Sequence, residues 1–351
     1  MTLPEQRQLN SFLPGEKDNI RYPLTLWFDS AKEGKDFGRL LELKNNFFQS
    51  RNLDVRTILD KSLKHVKHKT RYREGIYWPL VDIEKMLTLR KKVKAPFSIT
   101  KMSAWQHQDF TIADRYDPMF TVEVTEHALT YNNIAQRIPR LVLPVSCGIP
   151  SAILQRVDAG SKEKYKGWFL KALCKSTEIF GKPCIALLFD DKTRSKSEEL
   201  LSCMACQLID YICFNNRESL KTFEELLLHV SEENQRLAKQ WYDHNALLAC
   251  RWLDANSSQV RVIIRVKPED SMWKTKGTGG LDPYPGLVLL ADLLLCRTGP
   301  NKSDRDRKLV VDFRHIEEDF WWFERYPEEL YLQLLIDEEK RIADEVVFKK
   351  S

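Results

Sequence analysis

Apolar positions recur along this chain with two different periods. Residues 24–30, LTLWFDS, form a short apolar run that ends in a polar turn and predicts a strand. Phe37, Leu40, Leu41, Phe47 and Phe48 are then spaced as on one face of a helix, and Val55, Ile58, Leu59, Leu63 and Val66 as on a second. A third helix is expected over 80–92, with Pro79 in its first turn and Asp82 and Glu84 near its start. From Phe120 the period shortens to two. Phe120, Val122 and Val124 alternate with Thr121, Glu123 and Thr125, the pattern of a strand with one polar, solvent-facing side, and 141–145 reads as another strand.

Beyond Pro150 helices and strands alternate. A helix is predicted over 165–180, ended by Gly181-Lys182-Pro183, and the unbroken apolar run 184–189 is a buried strand. Helices over 198–214 and within 218–253, a strand over 260–266 and an apolar helix over 286–296 follow. The closing segment from Tyr326 to about Val347 reads as a helix with a proline start. The fold class expected is mixed α/β: a helix-rich basic N-terminal part followed by an α/β domain with a central, partly parallel sheet. The divisions expected are a loosely held arm over 1–22, a basic and mostly helical unit over 23–115 that can be an insertion after a first strand, and an α/β domain with a C-terminal helix over 116–351.

Composition narrows the class. Of 351 residues 43% are hydrophobic, enough for a core, and the longest nearly pure apolar run, 287–296, is about half of what a membrane-spanning helix needs. The N-terminus is polar where a secretory signal would be apolar, and eight cysteines lie mostly in apolar segments, so a cytoplasmic protein with reduced thiols and no membrane partner is expected. The net charge of +5 conceals a segregation. Residues 61–101 alone carry +9, leaving −4 for the rest. Lys61, Lys64, Lys67, Lys69, Arg71, Arg73, Arg90, Lys91, Lys92 and Lys94 are interleaved with Tyr72, Tyr77 and Trp78, a combination that can follow a phosphate backbone and stack on bases. A solvated helix face is the plainer reading of the same charges. The glycine-rich 274–280 lacks the order of a phosphate-binding loop, yet Lys274 and Lys276 can still reach a substrate phosphate.

Asp292 interrupts an otherwise apolar run, and a buried carboxylate requires a cation, a metal or a hydrogen-bond network. Asp29 ends LTLWF, and Asp190 and Asp191 end CIALLF. Carboxylates brought together from strand ends and a packed helix can hold one or two Mg²⁺ or Mn²⁺ ions and so activate water against a phosphodiester. In order, these three pieces resemble the RNase H-like superfamily of nucleases and integrases. The resemblance implies Asp29, Asp190 or Asp191, and Asp292 as catalytic acids, with Asp29, Asp190 and Asp292 as metal ligands. Against it stand turn or cap roles for the strand-end aspartates, and for Asp292 a buried pairing with an arginine such as Arg297 or Arg314. Cys203-x-x-Cys206 sits in a helical apolar pattern, which favours core thiols over a zinc site. The aromatic cluster around Trp321 and Trp322 either anchors the C-terminal segment or, if exposed, offers a protein-partner surface. Two functions follow: a nucleic-acid-binding, metal-dependent nuclease, or a non-catalytic nucleic-acid-binding or assembly subunit.

Overall fold

The computed structural model describes residues 24–28, 31–44, 46, 78–80, 108–114, 117–157, 162–265, 283–314 and 341–349. Strand β1 (Leu24–Phe28) pairs antiparallel with β2 (Trp78–Leu80) on one side and β3 (Phe110–Asp114) on the other, and β3 pairs antiparallel with β4 (Asp117–Thr125). The next two strands, β5 (Ser151–Arg156) and β6 (Cys184–Phe189), are parallel to β4. Each is reached through a helix, α2 (Tyr131–Ser146) and α3 (Glu163–Phe180), because parallel neighbours need a crossover. The sheet order is β2-β1-β3-β4-β5-β6.

One face of this sheet is largely apolar. Phe28, Phe110, Phe120, Val122 and Leu154 pack against helices α1 (Ala31–Glu42), α4 (Arg194–Phe214) and α5 (Arg217–Trp241). Phe37 of α1 enters the group with its ring 4.5 Å from that of Phe110. At the open edge, Asn234 of α5 acts as a surrogate strand. Its Nδ2 donates to Ala186 O at 2.9 Å and its Oδ1 accepts from Ala186 N at 2.6 Å. This closes part of an edge that would otherwise invite pairing with another chain. Asn234→Ala leaves two buried backbone groups unmet, and a loss of about 2 kcal/mol in chemical denaturation is expected.

A short helix, α6 (His244–Leu248), leads into the second sheet, ordered β10-β9-β8-β7. Here β7 (Leu253–Ala255) is antiparallel to β8 (Gln259–Arg265), and β9 (Lys308–Arg314) and β10 (Glu345–Lys349) run parallel to β8. Helix α7 (Pro283–Ala291) and the π-helical turn Asp292–Cys296 lie between β8 and β9 in the chain. Helices α2, α3 and α7 share one core with the inner face of this sheet through Leu141, Phe169, Val288, Val262 and Leu309.

The fold is the mixed α/β class expected, with two mixed sheets. The division at residue 115 falls within one sheet, since β1 pairs with β2 and β3, and β3 with β4. Three details correct the sequence reading. Pro79 lies in β2, not in the first turn of a helix. Residues 141–145 belong to α2, because a short apolar run fits a buried helix as well as a strand. Residues 345–349 are a strand, the β-branched pair Val346-Val347 lying beside β9. The expected arm and most of the helices proposed within 47–101 lie outside the described residues, as do 266–282 and 315–340.

Candidate functional site

Position 123 is the unexpected feature of the first sheet. Thr121, Glu123 and Thr125 form the polar side of β4, yet they are 0%, 0% and 2% exposed. They are covered because α2 lies over them. Glu123 Oε1 accepts from Arg137 Nη1 at 2.5 Å and from Arg140 Nη1 at 2.7 Å, both from α2. Its Oε2 is buried with no hydrogen-bond partner among the described residues.

A second carboxylate stands alongside. Asp109 directly precedes β3, and its Oδ2 accepts from the backbone N of Val124 at 2.6 Å, one residue from Glu123. Burial, and then the charge of Glu123, hold the Asp109 carboxyl well above the ordinary carboxylate range; Arg140 acts in the opposite direction and Glu33 of α1 in the same one. Acids from α1 and β4 therefore both act on the carboxyl that precedes β3. One strand further on, Gln155 of β5 pairs in register with Thr125 and is fully buried. Its Nε2 donates to His127 O and Arg156 O, while its Oε1 has no partner.

Local sequence explains how α2 comes to deliver two arginines here. Pro139 and Pro144 lie inside the helix, and neither can donate to the carbonyl four residues earlier. The carbonyl released by Pro144, that of Arg140, accepts instead from Gln108 Nε2 at 3.0 Å. This ties α2 to the residue beside Asp109. The carbonyl released by Pro139, that of Ala135, faces Gly286 of α7, where a Cβ would meet it at 1.5 Å.

The acids singled out from sequence are distributed differently. Asp292 is fully buried, and both of its oxygens are engaged: Oδ2 by Arg297 Nε at 2.7 Å and Oδ1 by Arg305 Nε at 2.7 Å. Arg305 also bonds Asp344 and the carbonyl of Ile342. The pairing with Arg297 is one of the two weighed from sequence. Arg314, the other, contacts Asp312 instead. Two guanidinium groups thus occupy both carboxylate oxygens, the arginine pairing that was weighed against a metal role for Asp292. Asp190 is exposed in a turn, its Oδ1 accepting from Lys192 N, Thr193 N and Thr193 Oγ1, and the Thr193 hydroxyl is the first cause holding its pKa below the usual value. Asp191 pairs with Arg156 on the surface at 2.9 Å.

Asp190 and Asp292 do not converge. Phe180, before β6, lines the cleft beside Asp292, whereas Asp190 follows the far end of β6, about 20 Å along a six-residue strand. Asp29 lies outside the described residues. Its predecessor Phe28 pairs with Phe110, the residue after Asp109. The basic residues from Lys61 to Lys94, together with Lys274 and Lys276, are likewise outside the description, as are Trp321 and Trp322. Among the described residues no three His, Cys, Asp or Glu side chains are grouped as a metal centre would group them. No described helix is long and apolar enough to cross a membrane.

Sequence reading missed Glu123 and Asp109 because the polar side of an alternating strand is ordinarily solvent-facing. The signal that could have found them is the charge pattern of α2, where Arg137 and Arg140 are three residues apart and so share a helix face. No family model, curated protein or solved structure matches the chain.

Proposed function

We propose that this chain binds nucleic acid and cleaves phosphodiesters with Mg²⁺ or Mn²⁺ held at Asp109 and Glu123. The observation that carries the reading is the juxtaposition of these two carboxylates, one of them with a buried oxygen that has no hydrogen-bond donor among the described residues. Holding two carboxyl groups together in a buried site costs stability, and such an arrangement is characteristic of functional centres. The donors fit the metal. Hard divalent ions take carboxylate and amide oxygens, and Mg²⁺ is commonly bound through only one or two carboxylates, its other positions going to water and substrate phosphate. Glu123 Oε2 and the remaining oxygen of Asp109 would hold such an ion, with Gln155 Oε1 as a further donor. Once bound, the ion supplies Lewis acidity toward a phosphoryl oxygen and a more acidic water.

The chain's own residues do the positioning. Arg137 and Arg140 fix one oxygen of Glu123, the Val124 amide fixes one oxygen of Asp109, and Gln108 holds α2 in place above both. The basic run ends at Lys101, eight residues before Asp109, so the covalent chain keeps its last cation within about 30 Å of the carboxylates. Nucleic acid held by those charges is thereby concentrated at the acidic site.

The test is cleavage and binding of labelled single- and double-stranded DNA and RNA, with Mg²⁺, Mn²⁺ or EDTA, comparing wild type with Asp109→Asn and Asp29→Asn. Metal-dependent cleavage reduced by about 100-fold or more in Asp109→Asn, with binding retained, is the expected result. Salt-sensitive binding with no cleavage under any metal overturns the enzymatic half and leaves a binding or assembly subunit. Absence of both activities overturns the whole reading.

The same substitution has a stability signature. A carboxyl whose folded pKa is raised contributes its full stability below the ordinary value of 3.8, and that contribution is lost as pH rises through the raised value. The carboxamide introduced by Asp109→Asn is neutral at every pH, so it escapes the loss while its oxygen still accepts from Val124 N. Asp109→Asn is therefore expected to melt above the wild type at pH 8 in EDTA, with the gap closing as the pH falls toward 4.

A further inference from the structure

A second site, unconnected with the carboxylates, lies at the end of α2. The cleft beside Asp292 has a volume of about 210 Å³, with Val142, Leu289 and Leu293 on its apolar side and Arg297, Lys302 and Arg341 on its charged side. Its size is below the roughly 300 Å³ at which pockets for drug-sized ligands begin, so it suits a small anion or the terminal group of a larger molecule.

The charges of its wall are out of balance. Asp292 is consumed by Arg297 and Arg305, and Asp344 by Arg305. Arg297 spends Nη1 on the carbonyls of Pro300 and Asn301 and turns Nε and Nη2 toward Asp292, so it contributes charge with most of its donors engaged. Arg341 is different. Its Nη2 donates to Asp344 O, while its Nε is buried without a partner among the described residues. Lys302 has no ion-pair partner among the described residues, and partial desolvation followed by the charge of Arg341 lowers its pKa. Two cations thus press on each other across a cleft whose lining acid, Asp292, is already taken, as is Asp344 nearby. Such a wall lacks an anion, and the missing groups are acceptors for Arg341 Nε and Lys302 Nζ.

The backbone beneath supports this. The turn Asp292–Cys296 is π-helical, with Arg297 N donating to Asp292 O at 2.7 Å, and turns of this type recur at functional sites because they re-aim side chains at a cost in helix stability. Here the turn sets Asp292 between Arg297 and Arg305, which holds the cleft wall in place.

We infer that Arg341 and Lys302 bind a phosphoryl group in this cleft, the phosphate of either a free nucleotide or a nucleic-acid strand end. A phosphate offers several acceptor oxygens to an arginine and a lysine at once, and the apolar side accommodates the carbon skeleton of its ester. The inference does not depend on cleavage at Asp109.

Isothermal titration with inorganic pyrophosphate, thymidine monophosphate, and a short oligothymidylate with and without a 5′ phosphate separates the sources. The full chain is compared with Lys302→Gln and Arg341→Gln. At least one phosphate-bearing probe is expected to bind the wild type and to weaken at least 10-fold in each variant. Preference for the monophosphate identifies a nucleotide, and preference for the phosphorylated over the unphosphorylated strand identifies a strand end. Lys302 is exposed, so its variant keeps the fold, and its unchanged melting curve serves as the control. Failure of every probe to bind, or binding indifferent to both substitutions, overturns the inference.

Discussion

Replacing Asp292 by alanine is expected to remove about 3–5 kcal/mol of stability, the range observed when one partner of a buried ion pair is deleted. The reason is the number of groups left behind. Arg297 and Arg305 are 10% and 4% exposed in their side chains, and each loses a charged acceptor that it cannot replace with water. Arg305 keeps Asp344 and the Ile342 carbonyl, while Arg297 keeps only carbonyls. The guanidinium chloride midpoint of Asp292→Ala against wild type measures the effect, and Asp292→Asn, which preserves shape and one acceptor, should fall between the two. A metal ligand would behave in the opposite way: its neutralisation relieves repulsion and commonly raises stability while activity disappears. If Asp292→Asn proved as stable as the wild type and its metal-dependent activity were lost, the arginine clamp would be the wrong account of this residue.

Asp292 also shows where sequence reasoning stops. An aspartate among nine apolar neighbours announces its own burial, and the need for a partner follows from elementary electrostatics. The identity of the partner does not follow. Arg297 is five residues on, within reach of a helical turn, whereas Arg305 comes from beyond a loop and is placed by an antiparallel bridge that sets it opposite Arg297, which the sequence pattern does not announce.

The acidic site was obscured by the reverse effect. The alternation in β4 was legible, and its apolar half, Phe120 and Val122, does face the core formed with α5. What alternation cannot report is the cover on the other half. The two prolines of α2 and its run LVLPV disguise a helix, and without that helix Glu123 reads as solvent-exposed. Asp190 illustrates the common fate of a strand-end aspartate, in which local backbone donors satisfy it before any distant ligand can. The helix-to-strand passage from 165 to 189, by contrast, was readable because helix period, glycine stop and buried strand are all local signals. Gly181 ends α3 at φ 68°, the left-handed conformation that a glycine adopts most readily.

Gly286 is where the fold and the candidate site meet, and Gly286→Ala is expected to cost at least about 3 kcal/mol. An added Cβ would lie 1.5 Å from Ala135 O and 2.4 Å from its carbonyl carbon. These are backbone atoms that no rotamer change can move aside. Helices α7 and α2 must then separate along a contact that holds the layer between the two sheets. Pro139 is part of the cause. By leaving the Ala135 carbonyl without its helical donor, it makes a polar group for which close approach by the Gly286 Cα is a compensating contact, and only a residue without a side chain allows it. The control is Gly181→Ala, whose Cβ would meet nothing within 4 Å and whose cost is confined to the strain of a left-handed φ, about 1–2 kcal/mol. Urea or guanidinium midpoints for both variants decide the matter: a Gly286 variant no less stable than the Gly181 variant would mean that the helices part easily. The consequence reaches the carboxylates as well. Arg137 and Arg140 lie within five residues of Ala135 on the same helix, so moving α2 away from α7 alters how they hold Glu123, and a folded but shifted variant should lose metal-dependent cleavage before it loses nucleic-acid binding.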